Sequence, residues 1–219
     1  MRKAHPEIKA VAFDAVGTLI QAEPSVGEVY ARVAAECGSP VHDPDGLKIA
    51  FRDALATEDE IDRHNEWRTS EEREQERWRR IVGHCLPDGA DVEAAYSRLF
   101  EWFARPEAWA LIPNAVEALR FAQAEGLAVA VASNFDARLR RVLEGHEPLR
   151  EVETVAVSSE VGWMKPSPNF FRELCSMLGA APGEVLFVGD SRRNDYEAAT
   201  ASGLRAVLFD QFSKWPFRE

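Results

Sequence analysis

No stretch of this chain approaches the ~20 consecutive apolar residues of a membrane-spanning helix. Its first ten residues, MRKAHPEIKA, lack the apolar core of a secretory signal. The expectation is a cytoplasmic protein. Cysteine is scarce: Cys37, Cys85 and Cys175 are odd in number, widely spaced and form no CxxC pair. That excludes a disulfide scaffold and implies three reduced thiols. His5, His42, His64, His84 and His146 show neither HxH nor HxxxH spacing, so a zinc site has no support. Positive charge is in deficit, with 26 Lys and Arg against 37 Asp and Glu and a net charge of −11. Nucleic-acid and acidic-membrane partners both need a basic surface and are excluded as non-specific partners. An anionic substrate would need a local positive site. No internal repeat or low-complexity tract occurs.

What is present is globular. Apolar residues make up 46% of the 219 residues, with six Trp and twelve Phe, too rich for a disordered chain. The length suits one core, or a core with a smaller insertion. Apolar runs at Ile8–Phe13, Leu127–Ala132, Val152–Val157, Val185–Val188 and Arg205–Phe209 are mostly continuous rather than alternating. Strands of a parallel sheet covered on both faces have this pattern.

Helices separate the later runs. Asn114 with Glu117 caps one that Gly126 ends, Ser167-Pro168 opens another that Gly179 closes, and a third runs from near Asn194 to Gly203. Strand–helix alternation predicts a doubly wound α/β core with a Rossmann-like five-stranded parallel sheet. Residues 24–108 carry no strand pattern. Ser25 to Glu28 is a capping box, and Val26, Val29, Tyr30, Val33 and Ala34 recur at helical spacing. Glu58 to Arg80 is densely charged, with Trp67 and Trp78 about three helical turns apart. An all-helical insertion over 21–108 is predicted, with the core formed by 1–20 and 109–219.

In an open parallel sheet, ligands bind beyond the carboxyl ends of the strands. Four such ends are polar here. The first strand runs into Asp14 (FDAVGTL) and the second into Ser133 (ASNFD). Lys165 follows the third (GWMKPSP), and the fourth runs into Asp190 (VGDSRRND) with Asp195 five positions on. A lone aspartate after a strand is usually a turn or cap residue, and a lone serine or lysine means little. The ordered conjunction of all four carries the argument.

These motifs resemble the haloacid dehalogenase-like hydrolases over residues 8–20 and 109–210. SSEVGWMKPSPNFF and LFVGDSRRNDYEAATASG look like phosphatase-type members, and a helical insertion after the first motif is similar to their first (C1) cap type. FDAVGTLI followed by VGEVYARVAAECG is similar to the rhythmically-expressed-gene-2-like branch. The resemblance implies a phosphatase for a small phosphorylated metabolite, with Asp14 as nucleophile forming an aspartyl-phosphate. It implies Mg²⁺ held by Asp14, the Val16 carbonyl, Asp190 and Asp195. It also implies phosphate contacts from Thr18, Ser133, Asn134 and Lys165, under a closing cap.

One position departs from the pattern. The family's DxDGT motif places an acid/base aspartate two residues after the nucleophile, and here that residue is Val16. Losing it removes a factor of ~10²–10⁴, about 3–5 kcal/mol of barrier, while the backbone carbonyl remains. Two other readings therefore stand beside the phosphatase: a non-catalytic phosphate-ligand or partner-binding protein, and dehalogenase or phosphonate chemistry. The acidic GDxxxxD motif favours a metal over dehalogenation, and no cap lysine for phosphonate chemistry stands out. Glu71–Arg80 reads as a solvated helix face, Trp67 and Trp78 as insertion core, and Phe212–Phe217 as a tail packed on the core. Arg63, Arg68, Arg77 and Arg79 are candidate substrate clamps that nothing in the sequence separates. Oligomeric state is not legible.

Overall fold

A computed structural model describes residues 7–40, 43–87 and 89–210; the expectation for Phe212–Phe217 lies outside them. The elements in order are β1 (Ala10–Phe13), β2 (Ile20–Ala22), α1 (Val26–Glu36), α2 (Pro44–His64), α3 (Glu71–Cys85), α4 (Val92–Trp102) and β3 (Trp109–Leu111). They continue with α5 (Pro113–Ala124), β4 (Ala128–Ser133), α6 (Arg138–Glu144), β5 (Thr154–Val157), α7 (Ser158–Val161) and α8 (Pro168–Leu178). The last are β6 (Val185–Gly189), a π-helical turn (Arg192–Glu197), α9 (Ala198–Ala201) and β7 (Arg205–Leu208).

All five predicted apolar runs become strands of one parallel sheet, ordered β5-β4-β1-β6-β7. The pleat divides β1 between two cores. Val11 and Phe13 face one cluster with Val131, Val155, Leu119 and Leu139. Ala10 and Ala12 face the other, where Phe170 and Phe171 of α8 and Phe187 fill the space above small residues. Small faces opposite large rings are how interiors reach native packing density. The chain leaves β1 for β4 and β5 on one side and returns to β6 and β7 on the other. β1 is thus the topological switch point, and a crevice opens beyond its carboxyl end.

Helices α1 to α4 lie between β2 and β3, which pair antiparallel with each other and not with the main sheet. Ser25 makes the predicted capping box with Glu28, and Asp43, Ser70 and Asp91 cap the next three helices. Val29, Tyr30, Val33, Ile81, Val82, Tyr96 and Leu99 form this block's own apolar core.

Three local expectations are corrected. Glu58–Arg80 is not one helix: α2 ends at His64 and α3 begins at Glu71, so Trp67 and Trp78 share no helical face. Glu71–Arg80 is not wholly solvated, because Glu74 and Arg77 are buried. An ion network draws them in. Arg73 pairs with Glu58 and Asp62, Arg80 with Glu58, and Arg77 with Asp59 and Asp62. Asn114 is not the cap of α5, since Pro113 takes the first helical position and Ile112 precedes it. Proline is pre-set for that position.

Candidate active site

Asp14 leaves β1 at the switch point, only 6% exposed. Its Oδ1 accepts a hydrogen bond from Lys165 Nζ at 2.6 Å, and the same ammonium donates to Asp195 Oδ1 at 2.7 Å and to the Ala132 carbonyl at 3.2 Å. The other Asp195 oxygen accepts from the Ser191 amide at 2.9 Å. Asp195 is therefore spent holding Lys165 and the turn after β6. Asp190, on the exposed side, makes no hydrogen bond to Lys165.

Two glycines make the close approach possible. A β-carbon on Gly17, whose φ is +90°, would lie 2.4 Å from Asp190 Oδ2; one on Gly189 would lie 2.4 Å from the Asp195 carboxyl. Any side chain at either position would push an acidic group out of the cluster.

The electrostatics are unbalanced. Three carboxylates, from Asp14, Asp190 and Asp195, have ligand atoms within 4.8 Å of one another, against the single buried ammonium of Lys165. Burial raises the Asp14 carboxyl above its ordinary range, with Asp195 and Asp190 adding and Lys165 opposing. Asp190 is raised too, by desolvation and then by Asp195. Burial alone would lower Lys165, but Asp14 and Asp195 outweigh it and the ammonium is held charged. A compact all-oxygen cluster with excess negative charge is the donor chemistry that Mg²⁺ selects. The Val16 carbonyl accepts no hydrogen bond among the described residues. The residues present fit that ion.

Ser133, at the end of β4, is 2% exposed, and its hydroxyl makes no hydrogen bond among the described residues. Thr18 lies 3.5 Å from Asp14 Oδ2. Asn134 is turned sideways: its Nδ2 donates to the Lys165 carbonyl at 2.8 Å and its Oδ1 accepts from the Lys165 amide at 2.7 Å. The side chain stitches the loop after β4 to the loop between α7 and α8. Val16 is 38% exposed and carries no ionisable group into the crevice.

The structure thus brings Asp14, Lys165, Asp190 and Asp195 into one cluster at the strand ends, with Thr18 beside Asp14 and Ser133 ending the adjacent strand. It does not bring the candidate clamps there. Arg63 is paired with Glu60 and Arg77 with Asp59 and Asp62; Arg79 is paired with Glu93 and lies over Tyr96; Arg68 lies over Trp163. Residues the sequence did not single out do border the loops. Arg138 grips Asp136 through two hydrogen bonds of 2.7 Å, donates to the Phe100 carbonyl and stacks on Phe100. Arg193 stacks on Trp67. Both join the core to the helical block across long sequence separations, which local patterning does not encode.

A family profile described as haloacid dehalogenase-like hydrolase matches residues 8–203. The chain is 30% identical over 210 residues to haloacid dehalogenase-like hydrolase domain-containing protein 3 of Mus musculus, covering 92% of this chain and 82% of that one. It is 34% identical over 134 residues to the phosphoserine phosphatase of Thermus thermophilus, covering 60% and 54%. Among solved structures, a dehalogenase superposes with a TM-score of 0.71 at 21% identity, covering 96% and 88%. At that identity the likeness speaks for the fold alone. No helix among the described residues is long and apolar enough to cross a membrane.

Proposed function

Because the chain belongs to the haloacid dehalogenase-like hydrolases, we propose that it is a Mg²⁺-dependent phosphatase of a small phosphorylated metabolite, with Asp14 as nucleophile. The observation that carries this reading is the charge excess at the switch point: three clustered carboxylates around one lysine. That excess favours a bound divalent cation over a metal-free dehalogenase site. In the same reading, residues 21–108 are a cap of the family's helical C1 type in the rhythmically-expressed-gene-2-like branch, and 1–20 with 109–219 are the core. The unpaired cysteines suit a cytoplasmic setting.

Each residue then has a task. Lys165 keeps Asp14 ionised and aimed by holding one carboxylate oxygen. The other oxygen attacks phosphorus, the P–O bond to the leaving group breaks with its electron pair, and Asp14 becomes an aspartyl-phosphate. The Ser133 and Thr18 hydroxyls, with the Lys165 ammonium, donate to the phosphoryl oxygens as charge builds on them. Asn134 holds Lys165 in register. Asp14, Asp190 and the Val16 carbonyl would hold Mg²⁺, and Asp195 would act on it through water; the bound ion neutralises phosphoryl charge. Water then attacks phosphorus, the aspartyl P–O bond breaks, phosphate leaves and the Asp14 carboxylate is restored.

Val16 offers no proton to the leaving group and no base to that water. Aryl and acyl phosphates, whose leaving groups depart unprotonated, should turn over measurably, and sugar phosphates very slowly. The test is phosphate release with Mg²⁺ from p-nitrophenyl phosphate and from an alkyl phosphate. Equal rates on both would show that another residue supplies the proton. Val16 also favours a second reading, a protein that binds phosphate ligands without turning them over. Inertness of the wild type and of Val16→Asp, with tight binding of phosphate analogues, would select it.

A further inference from the structure

The helical block meets the core along a strip that ends at Lys165. In the turn between α2 and α3, Glu66 and Trp67 take left-handed φ values of 55° and 62°, strained for residues other than glycine. That backbone lets Arg68 form an antiparallel bridge with Trp163. The Thr69 amide donates to the Gly162 carbonyl at 3.2 Å, and the Met164 amide donates to the Trp67 carbonyl at 2.9 Å. The next core residue is Lys165. Beside this strip stands Glu71, at the start of α3. Its carboxylate accepts the Ala137 amide at 2.9 Å and the Ser159 hydroxyl on the same oxygen. Ala137 lies on the loop that leaves Ser133, and Ser159 in α7, the short helix that leads into the Lys165 loop. Those loops are also joined to each other, by Ser159 N to the Phe135 carbonyl and by both groups of the Asn134 amide to the Lys165 backbone.

We propose that Glu71 is a positioning residue: docked between the two loops, it sets the placement of Ser133 and Lys165 around the phosphoryl group. This rests on the phosphatase reading for its kinetic consequence only; the structural consequence does not need it. A ~1 Å displacement of groups around a reacting centre costs up to about 100-fold in rate, so small loop shifts suffice. Substrate contacts outside the phosphoryl group are not made by Glu71, so the loss falls on kcat.

The experiment compares full-length wild type with Glu71→Ala and Glu71→Gln, all with Mg²⁺. Three quantities are measured: amide exchange at Met164 and Lys165, affinity for orthovanadate, and kcat and KM on p-nitrophenyl phosphate. For Glu71→Ala the expected result is exchange accelerated at both amides but not in β1 or β6. Orthovanadate affinity and kcat should each fall about 10-fold or more, with KM little changed. Glu71→Gln keeps an acceptor oxygen and restores most of both. A lowered melting temperature with unchanged exchange, affinity and kcat overturns the proposal, because the contact is then only packing. Failure of Glu71→Gln to recover more than Glu71→Ala also overturns it. If no protein hydrolyses the ester but exchange and orthovanadate affinity respond as described, the positioning role holds and the phosphatase reading fails.

Discussion

The core and the helical block both bury charge, and they do so in opposite ways. In the core, Asp14, Asp190 and Asp195 share the single ammonium of Lys165. In the block, Glu58, Asp59, Asp62 and Glu74 meet Arg73, Arg77 and Arg80. Three guanidiniums with forked donors come close to satisfying four carboxylates internally, although Asp62 Oδ2, Arg73 Nη1 and Arg77 Nε are buried without a hydrogen bond. The core cluster cannot satisfy itself: one lysine leaves two negative charges in excess. The block's cluster, short of one positive charge, holds helices together; the core's, short of two and with Asp190 exposed, is set to bind something. Buried ion pairs are weak net contributors to stability compared with apolar packing, yet breaking one partner costs about 3–5 kcal/mol. The two clusters should therefore respond differently to the same kind of substitution.

The largest effect expected is on turnover. Asp14→Asn should reduce aryl-phosphate hydrolysis by at least ~10³-fold, as loss of a nucleophile does when the rest of a site survives, without lowering the melting temperature. A residual rate within tenfold of wild type would remove Asp14 from the mechanism. In the block the same kind of change should act on stability instead. Glu58→Ala takes one of two carboxylate partners from Arg73 and the main partner from half-exposed Arg80, and should cost about 1.5–3 kcal/mol, read as a melting temperature lower by roughly 3–12 °C. The kcat of the folded fraction should stay near wild type.

Divalent cation sharpens the contrast further. At a Mg²⁺ concentration of ~100 Kd the folded state gains about 2.7 kcal/mol. A thermal shift should show that gain in wild type and in Glu58→Ala, and lose most of it in Asp190→Asn. An equal shift in all three would place the ion elsewhere. Smaller still, Val16→Asp should raise turnover about 10-fold, kept below the full general-catalysis range because the surroundings are not adapted to an acid. Alkyl substrates should gain more than aryl ones; a rate ratio that does not change would detach Val16 from proton transfer.

The smallest expected effect is pH-dependent and belongs to the block. Burial pushes the Glu58 carboxyl up, but Arg80 and Arg73 outweigh it and hold the group below its ordinary value of about 4.5. A depressed carboxyl contributes stability that is present above its unfolded value and lost as pH falls through its folded value. The gap in melting temperature between wild type and Glu58→Gln should be widest above pH 5 and narrow as pH falls below ~4. A gap that widens on acidification would reverse the sign of the argument.

Much of the fold was legible because its signals are local. Continuous Val- and Ala-rich runs mark strands buried on both faces, and Ser25, Ser167, Gly126 and Gly179 mark helix ends by rules spanning three or four residues. The motif order, Asp14 then Ser133, Lys165 and Asp190, was legible because a parallel sheet presents successive strand ends on one edge, so linear order becomes spatial proximity. What was illegible depends on pairs far apart in the chain. The charged stretch Glu58–Arg80 gives no local sign of its break, where hydrogen bonds within the turn, such as the Trp67 amide to the Asp62 carbonyl, act together with the docking of Trp67 and Thr69 on Met164 and Gly162. Arg77 and Arg79 looked like free cations because their carboxylate partners are set by how α2, α3 and α4 pack.

By itself, then, the sequence determined the alternating α/β core, the helical insertion, the residues at the crevice and the absence of an acid at Val16. The tertiary structure alone decided three things. Asp195 serves Lys165 rather than standing free, Asn134 stitches two loops, and Glu71 reaches from the helical block to grip both. Charge pairing and hydrogen bonding act over about 3 Å between atoms that the chain separates by tens of residues, so no local pattern can specify their partners.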